Sequence, residues 1–323
     1  MLDRFPSTHV AVIGDLMADR FIYGDARRLS PEAPVPVVDV KRHVLQPGGA
    51  ANVANNVLSL GGHLLLYGVV GRDEAGDSVL NALRDNGADV AGVLRLSERP
   101  TTLKTRVVAQ AQHMLRFDEE DASPLPNGHT GEIMERLIPQ LPGLSAVVLS
   151  DYAKGVLTAE LISAVISACN AHGVPVIVDP KPVNAHLYAG ASLIKPNLGE
   201  ALRLVGHEND ASDEDMPGVC MKLQQQLEVP NIVVTAGGRG MFVRAAEEYE
   251  HLPGLPREVY DVAGAGDTTL AAIALALAAG ADVFDAARLG NLAGSIAVGH
   301  LGVTAVEAAD LRSEVQAAGA RNG

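Results

Sequence analysis

Short aliphatic runs alternate with longer stretches of helical period along most of this chain, and that alternation limits its fold more than any other feature. The runs are His9–Ile13, His63–Val70, Ala146–Leu149, Pro175–Val178, Ser192–Ile194 and Asn231–Val234. Helices are predicted at Ala50–Leu60, Gly76–Asn86, Thr130–Leu137, Thr158–Ala171, Gly199–Val205, Asp215–Glu228, Asp267–Ala279 and Val283–Val298. A continuous aliphatic run bounded by Gly, Asp or Pro suits a strand buried on both faces, and intervening helices supply the cover. The expected fold class is α/β, a doubly wound, mostly parallel sheet flanked by helices. Two segments break the pattern. Ser30-Pro31-Glu32-Ala33-Pro34-Val35-Pro36 leads into an alternating Val37-Val38-Asp39-Val40-Lys41, and Thr101 to Phe117 holds two β-rich stretches around Ala109-Gln110-Ala111-Gln112. They predict a small β lid of antiparallel strands or hairpins, built from about 16–45 and 100–118 and inserted into a single domain spanning 1–323.

Composition excludes several functions. The 323 residues are 47% hydrophobic, enough for a sizeable core, so disorder is not the main state. Aromatics are 3% with no Trp, too few for base stacking to be the central activity. Lys plus Arg number 25 against 39 Asp plus Glu, a net charge of −14 with no basic stripe, which argues against a nucleic-acid partner. An anionic ligand would have to be admitted by local field. Cys169 and Cys220 lack CxxC spacing and read as free buried thiols. The first ten residues carry charge and Pro where an export signal would be apolar, and Leu270–Ala279 is too short to span a bilayer, so a cytoplasmic protein with no membrane partner is expected.

The strongest local signal is Asp261-Val262-Ala263-Gly264-Ala265-Gly266-Asp267-Thr268-Thr269, which enters the apolar helix. Gly264, Ala265 and Gly266 can turn the backbone so that successive N–H groups converge at a helix N-terminus, an anion site assisted by the macrodipole. Alternatively, Asp267 is an N-cap and the glycines only a turn. A carboxylate beside an anion hole repels the phosphate it adjoins, but it serves as a general base that deprotonates a hydroxyl during phosphoryl transfer. No P-loop and no protein-kinase catalytic loop occurs.

Other polar residues cluster at strand ends. Asp15 follows the first run, and Gly48-Gly49 with Asn52 opens a helix; together they can hold a polyol, or separately serve as turn and first-turn residues. Asp151 and Lys154 in Ser150-Asp151-Tyr152-Ala153-Lys154-Gly155, Asp179-Pro180-Lys181, and Lys195-Pro196-Asn197-Leu198-Gly199-Glu200 end three further runs, on the sheet edge where open α/β folds bind ligands. Asn197 and Glu200 can meet a hydrated Mg²⁺ through water, or form a capping box. Thr235, Gly237 and Gly240 suit close approach to a nucleotide, or a hairpin turn.

In this arrangement the chain resembles the ribokinase, or PfkB, family of carbohydrate kinases over essentially its whole length. Gly48-Gly49 with the following Asn residues is similar to the family's N-terminal signature, and Asp261–Asp267 to its C-terminal one. Gly14 to Phe21, Leu29 to Val37, Pro47 to Ala54 and Ser150 to Gly155 are similar to the D-glycero-β-D-manno-heptose 7-phosphate kinases within it, which phosphorylate the anomeric hydroxyl on the route to ADP-heptose for the lipopolysaccharide core. The resemblance implies ATP and Mg²⁺ and makes Asp267 the base beside an anion hole of Gly264, Ala265 and Gly266. It puts Lys195, Asn197, Leu198, Gly199, Glu200, Thr235, Gly237, Gly240 and Asn291 at the nucleotide, with Asp15, Gly48, Gly49, Asn52 and Asp151 at the sugar. It also implies a homodimer formed through the lid. Position 263 is Ala where the motif commonly has Thr, and no HxGH follows, so a separate adenylyltransferase is expected. Gly299-His300-Leu301-Gly302 is assigned to a final strand of the kinase. The sugar's own phosphate needs cations, and Lys104, Arg106, Gln112 and Arg116 in the lid, with Lys154 and Lys181 at the sheet edge, are the candidates. Rival readings are a kinase for ribose, a fructose phosphate or a nucleoside, a dinucleotide-dependent oxidoreductase, and a silent sugar sensor.

Overall fold

The computed structural model describes residues 1–321 apart from 111, 208–210, 256, 259, 300–301 and 303–304. His300 and Leu301, assigned above to a final strand, and Ala111 lie outside the described residues. The chain opens with β1 (His9–Gly14), runs out along two arms, β2 (Leu16–Leu29) and β3 (Pro36–Gly49), and returns through α1 (Ala50–Ser59) to β4 (His63–Gly71). After α2 (Glu74–Asp85) and β5 (Asp89–Leu96) comes a second excursion, β6 (Thr102–Ala109) and β7 (Gln112–Glu119). There follow α3 (Asn127–Leu137), β8 (Ala146–Ser150), α4 (Ala159–His172), β9 (Val176–Asp179), β10 (Leu193–Ile194), α5 (Leu198–Leu204), α6 (Met216–Leu227) and β11 (Asn231–Thr235). A hairpin, β12 (Met241–Ala245) and β13 (Glu248–Leu252), precedes α7 (Ala265–Ala278), α8 (Val283–Ala297) and α9 (Ala308–Arg321).

The main sheet has nine strands in the order β13-β12-β11-β10-β9-β8-β1-β4-β5, parallel except for the antiparallel β11-β12-β13 edge. Alternation along β1 divides the core. Val10 and Val12 pack on one face with α1, α2, α7 and α8, while Ala11 and Ile13 pack on the other with α3, α4 and α6. Each Val or Ile among them, buried completely, contributes about 1.5–3 kcal/mol. Every residue of α7 from Leu270 to Ala276 is buried. Gly290 lets α8 approach it so closely that an added Cβ there would lie 2.6 Å from Ile273 Cγ1. That packing seats the N-terminus of α7 at the carboxyl ends of the central strands. Among the described residues, no helix is long and apolar enough to cross a membrane.

The two excursions form a separate four-stranded sheet, β3-β2-β6-β7. Its outer pairs are antiparallel, but β2 and β6 run parallel, which the expectation of hairpins did not contain. β2 begins at the expected edge of the lid, while β3 runs past residue 45 to Gly49 and delivers the chain directly into α1.

Candidate active site

The site lies where the carboxyl ends of β1, β8, β9 and β11 meet the N-termini of α1, α5 and α7. Gly264, at φ +79°, is the residue that caps α7, and no side chain satisfies the helix's first-turn N–H groups. The turn is left-handed, a conformation that Gly adopts without strain. Asp267 therefore does not cap its own helix. Its side chain points away and is held on both oxygens: Tyr152 donates its hydroxyl to Oδ1 at 2.5 Å and Asn52 its amide to Oδ2 at 2.7 Å. Asn52 is fixed in turn by Asn56, whose Oδ1 accepts from the Thr268 hydroxyl at 2.9 Å. Burial raises the Asp267 carboxyl to about 6. Hydrogen bonds from Tyr152 and Asn52 oppose that rise, the Asp179 charge adds to it and Lys195 subtracts. A carboxylate so tuned is largely ionised at neutral pH yet basic enough to take a proton.

On one side of Asp267, a cavity of about 270 Å³ is lined by Thr235, Gly237, Gly240, Ala265, Gly266 and Asn291, among others. Asn291 braces its wall by donating to the Pro253 carbonyl at 2.9 Å. Thr235 is bridged to Asn197, which brings the start of α5 to the same rim. Asn197 and Glu200 form the capping box: Asn197 Oδ1 accepts from the Glu200 N–H at 2.9 Å and Glu200 Oε2 from the Asn197 N–H at 3.0 Å. The other Glu200 oxygen is bonded to Lys181 Nζ at 2.6 Å. Asn197 and Gly199 are the exposed residues of that turn, while Leu198 is half-buried against the core. Lys195 is buried and paired with Asp179 at 3.0 Å. Lys181, considered above for the sugar phosphate, lies instead between Glu200 and the Tyr152 ring, 5.6 Å from its centroid.

On the other side, β2 and β3 meet α1. An added Cβ at Gly48 would sit 2.2 Å from Asp19 Oδ2, and the Asp19 carboxylate is ion-paired with Arg106. Gly49, at φ +56°, turns the chain into α1 and so aims Asn52 at Asp267. Lys104 donates to the Met17 sulfur at 2.9 Å, and Lys154 pairs with Glu120 at 2.7 Å. Desolvation, together with repulsion from Lys154, lowers the Lys104 ammonium. Asp118, Glu120 and Asp19 oppose that shift, so cations and carboxylates are interleaved in this corner.

Three residues expected at the sugar have other partners in this structure. The Asp15 carboxylate accepts from the N–H groups of Tyr152, Lys154 and Val156 at 2.9–3.1 Å. Asp151 is likewise filled, by Ala153 N, Lys181 N, Asn184 Nδ2 and the Tyr188 hydroxyl. Gln112 stands exposed at the far tip of the β6–β7 turn opposite Ala109, five residues along the strand from Lys104, or roughly 17 Å. Buried carboxylates need donors; the backbone of the 151–156 loop supplies all three at Asp15, whereas Asp151 takes one from that loop and three from Lys181, Asn184 and Tyr188. Asp19 and Tyr152 were missed as site residues although both lie inside the motifs named above. No spacing in the sequence signals Asp19: in the register Gly48 faces Met17 and Asp19 faces Gln46, yet the Asp19 carboxylate reaches over Gly48, where only a Gly leaves it room.

The fold is that of a ribokinase-like α/β protein. Residues 7–309 match the pfkB family of carbohydrate kinases, and the chain belongs to that family. It is 43% identical over 316 residues to the bifunctional protein HldE of Pseudomonas paraeruginosa and of Pseudomonas aeruginosa, covering 98% of this chain. The chain spans 65% of the length of those relatives. Solved structures of similar fold include Arabidopsis thaliana ribokinase complexed with ribose and ATP, with TM-score 0.76, 20% identity, and 95% of this chain and 98% of that one covered. Another is the tetrameric inhibited form of phosphofructokinase-2 from Escherichia coli, with TM-score 0.78, 22% identity, and coverage of 95% and 97%.

Proposed function

We propose that this protein transfers the γ-phosphoryl group of ATP to the anomeric hydroxyl of D-glycero-β-D-manno-heptose 7-phosphate, giving the 1,7-bisphosphate. The observation that carries the reading is Asp267: a buried carboxylate with its acidity tuned near neutrality, near the N-terminus of α7 where no side chain caps the first-turn N–H groups, between a glycine-lined cavity and a corner of ion-paired lysine and arginine side chains. In this reading Asp267 removes the proton from the acceptor hydroxyl, while the N–H groups of Gly264, Ala265 and Gly266 stabilise charge on the transferring phosphoryl group. The cavity beside Thr235, Gly237, Gly240 and Asn291 takes the nucleotide. Its glycines allow backbone to approach phosphate or ribose, the turn of Leu198 and Gly199 at the start of α5 is bridged to it through Asn197 and Thr235, and Lys195 acts from behind through Asp179.

Mg²⁺ would neutralise phosphate charge during transfer. Among the described residues no three His, Cys, Asp or Glu side chains stand together as ligands, and both Glu200 oxygens are engaged. Such a donor set fits a cation carried by the nucleotide phosphates and water, with Asn197 and Glu200 reaching it through water. Asp19, Gly48, Gly49 and Asn52 face the sugar. Lys104, Lys154 and Arg106 face its phosphate, and this favours a phosphorylated acceptor over free ribose or a nucleoside. The β2-β3-β6-β7 sheet covers the sugar and keeps water from competing. Its exposed Leu115, Phe117 and Met114 are apolar surface suited to a second copy of the chain. The reaction belongs in a cytoplasm, where ATP is available, and the product calls for a nucleotidyl transfer on another active site.

ADP release measured against a panel of heptose 7-phosphate, fructose 1- and 6-phosphates, ribose and nucleosides tests the assignment. The highest kcat/KM is expected with heptose 7-phosphate. A preference for any other acceptor refutes that substrate, and absence of ADP with all of them refutes the kinase.

A further inference from the structure

We propose that Tyr152 is a positioning residue for the phosphoryl-transfer base, its hydroxyl fixed by a loop that Asp15 and Asp151 clamp and holding the Asp267 carboxylate toward the acceptor. This rests on the reading of Asp267 as that base. Three sets of contacts carry it. First, Asp267 is restrained from both sides, by the Tyr152 hydroxyl at 2.5 Å and the Asn52 amide at 2.7 Å, so rotation of the carboxylate breaks one bond or the other. An ionised carboxylate has about four acceptor sites, and each oxygen keeps capacity for a sugar hydroxyl.

Second, the backbone that carries Tyr152 is fixed by two carboxylates that have no other evident use. Asp15 binds the N–H groups of Tyr152, Lys154 and Val156, while Asp151 binds Ala153 N and ties the loop to Lys181 N, Asn184 and Tyr188. Both carboxylates are nearly inaccessible, at 1% and 2% exposure. Burying two charges is costly, and what their hydrogen bonds fix is the path of this loop. Third, the Tyr152 ring is held under the Lys181 ammonium, which is itself anchored on Glu200, so the base is connected to the nucleotide rim through packed side chains.

The charged groups around the pair are few. Asp179 and Lys195 act on Asp267 from the ends of β9 and β10, with opposite sign, and Asp19 and Asp179 act on Tyr152. Desolvation and the Asp267 charge hold the phenol well above its ordinary range, so Tyr152 stays a donor at every working pH. Its hydrogen bond favours the ionised form of Asp267 against burial. Removing the hydroxyl while keeping the ring therefore makes the base harder to ionise.

The test is the pH dependence of kcat for the wild type, Tyr152→Phe and Asp267→Asn, joined to direct infrared titration of the Asp267 carboxyl without substrate. Ionisation of the sugar phosphate is common to all three enzymes and cancels in the comparison. For Tyr152→Phe the acid limb and the infrared midpoint should both move to higher pH by about one unit, with KM for ATP unchanged and kcat recovering as pH rises. A limb and midpoint at the wild-type pH, with kcat lowered equally throughout or not at all, would overturn the proposal. If Asp267→Asn retains turnover, the base assignment fails, while the infrared midpoint still decides whether Tyr152 acts on Asp267. Should Tyr152→Phe not fold, Asp15→Asn, which loosens the loop, must displace the same limb in the same direction, and an undisplaced limb overturns the proposal.

Discussion

Gly48→Ala is the smallest change that probes the sugar-side corner. The added methyl would lie 2.2 Å from Asp19 Oδ2, 2.9 Å from its Cγ and 3.5 Å from its backbone nitrogen. To restore ordinary contact the carboxylate must retreat by about 1 Å, because its own backbone is already at van der Waals distance. Retreat separates Asp19 from Arg106, an ion pair whose side chains are only 9% and 17% exposed. A partly uncompensated pair at that depth costs about 1–3 kcal/mol, which is a loss of a few degrees in Tm. The effect on function is larger: a reacting group misplaced by about 1 Å lowers kcat/KM on the order of 10²-fold. Gly48, unlike Gly49, does not require positive φ, so alanine tests space rather than backbone strain. In a coupled ADP-release assay, kcat/KM for the sugar phosphate should fall on that scale while KM for ATP stays within about twofold. A variant that folds normally and keeps its sugar kcat/KM would refute the placement of Asp19 and Gly48 at the acceptor.

Asp267→Asn should lower kcat at least ~10²-fold while both ligands still bind, as isothermal titration can verify; retained turnover removes Asp267 as base. The same variant carries a stability signature. The folded-state value of about 6 lies above the ordinary 3.8. The native state therefore holds a proton the unfolded chain has released, and wild-type stability falls as pH rises from about 4 to about 6, by roughly 3 kcal/mol. Denaturant midpoints for the Asp267→Asn variant should gain on the wild type across that window, and a constant difference would contradict the buried, raised carboxyl. Arg106→Ala should raise KM for the sugar phosphate strongly and leave ATP binding nearly intact; an unchanged KM takes Arg106 out of the clamp. Asp15→Asn replaces an acceptor of three backbone N–H groups and should cost about 1–3 kcal/mol. Faster hydrogen exchange at residues 151–156 should accompany that loss, and unaltered exchange would argue against the clamp.

The parallel core was legible because its strands are buried on both faces. Val10–Ile13, Val147–Leu149 and Val176–Val178 are aliphatic without interruption, and such runs have few alternatives. The β12–β13 hairpin was not legible, since Glu248–Leu252 is half polar and resembles a loop. β7, the second β-rich stretch expected within Thr101–Phe117, does form, although it is exposed along its whole length and pairs only with β6. At the site, sequence identified which strands end in polar residues but not where those side chains point. Asp15 and Asp151 sit at strand ends as ligand-binding carboxylates do, yet the fold brings donors to both: the distant 151–156 backbone to Asp15, and Ala153 N with Lys181 N, Asn184 and Tyr188 to Asp151. Asp19 lies within a strand, where an acidic residue reads as surface until β3 brings Gly48 against it. Tyr152 reaches Asp267 across 115 positions of sequence, a contact created by the fold and invisible to spacing.

The most direct test of the account is ³¹P and ¹H NMR of the product formed from heptose 7-phosphate and Mg-ATP. The account predicts a sugar bisphosphate in which the new phosphorus couples to the anomeric proton, formed by the wild type and not by Asp267→Asn. A phosphoryl group on any other hydroxyl, or ADP released without a bisphosphate, would contradict it.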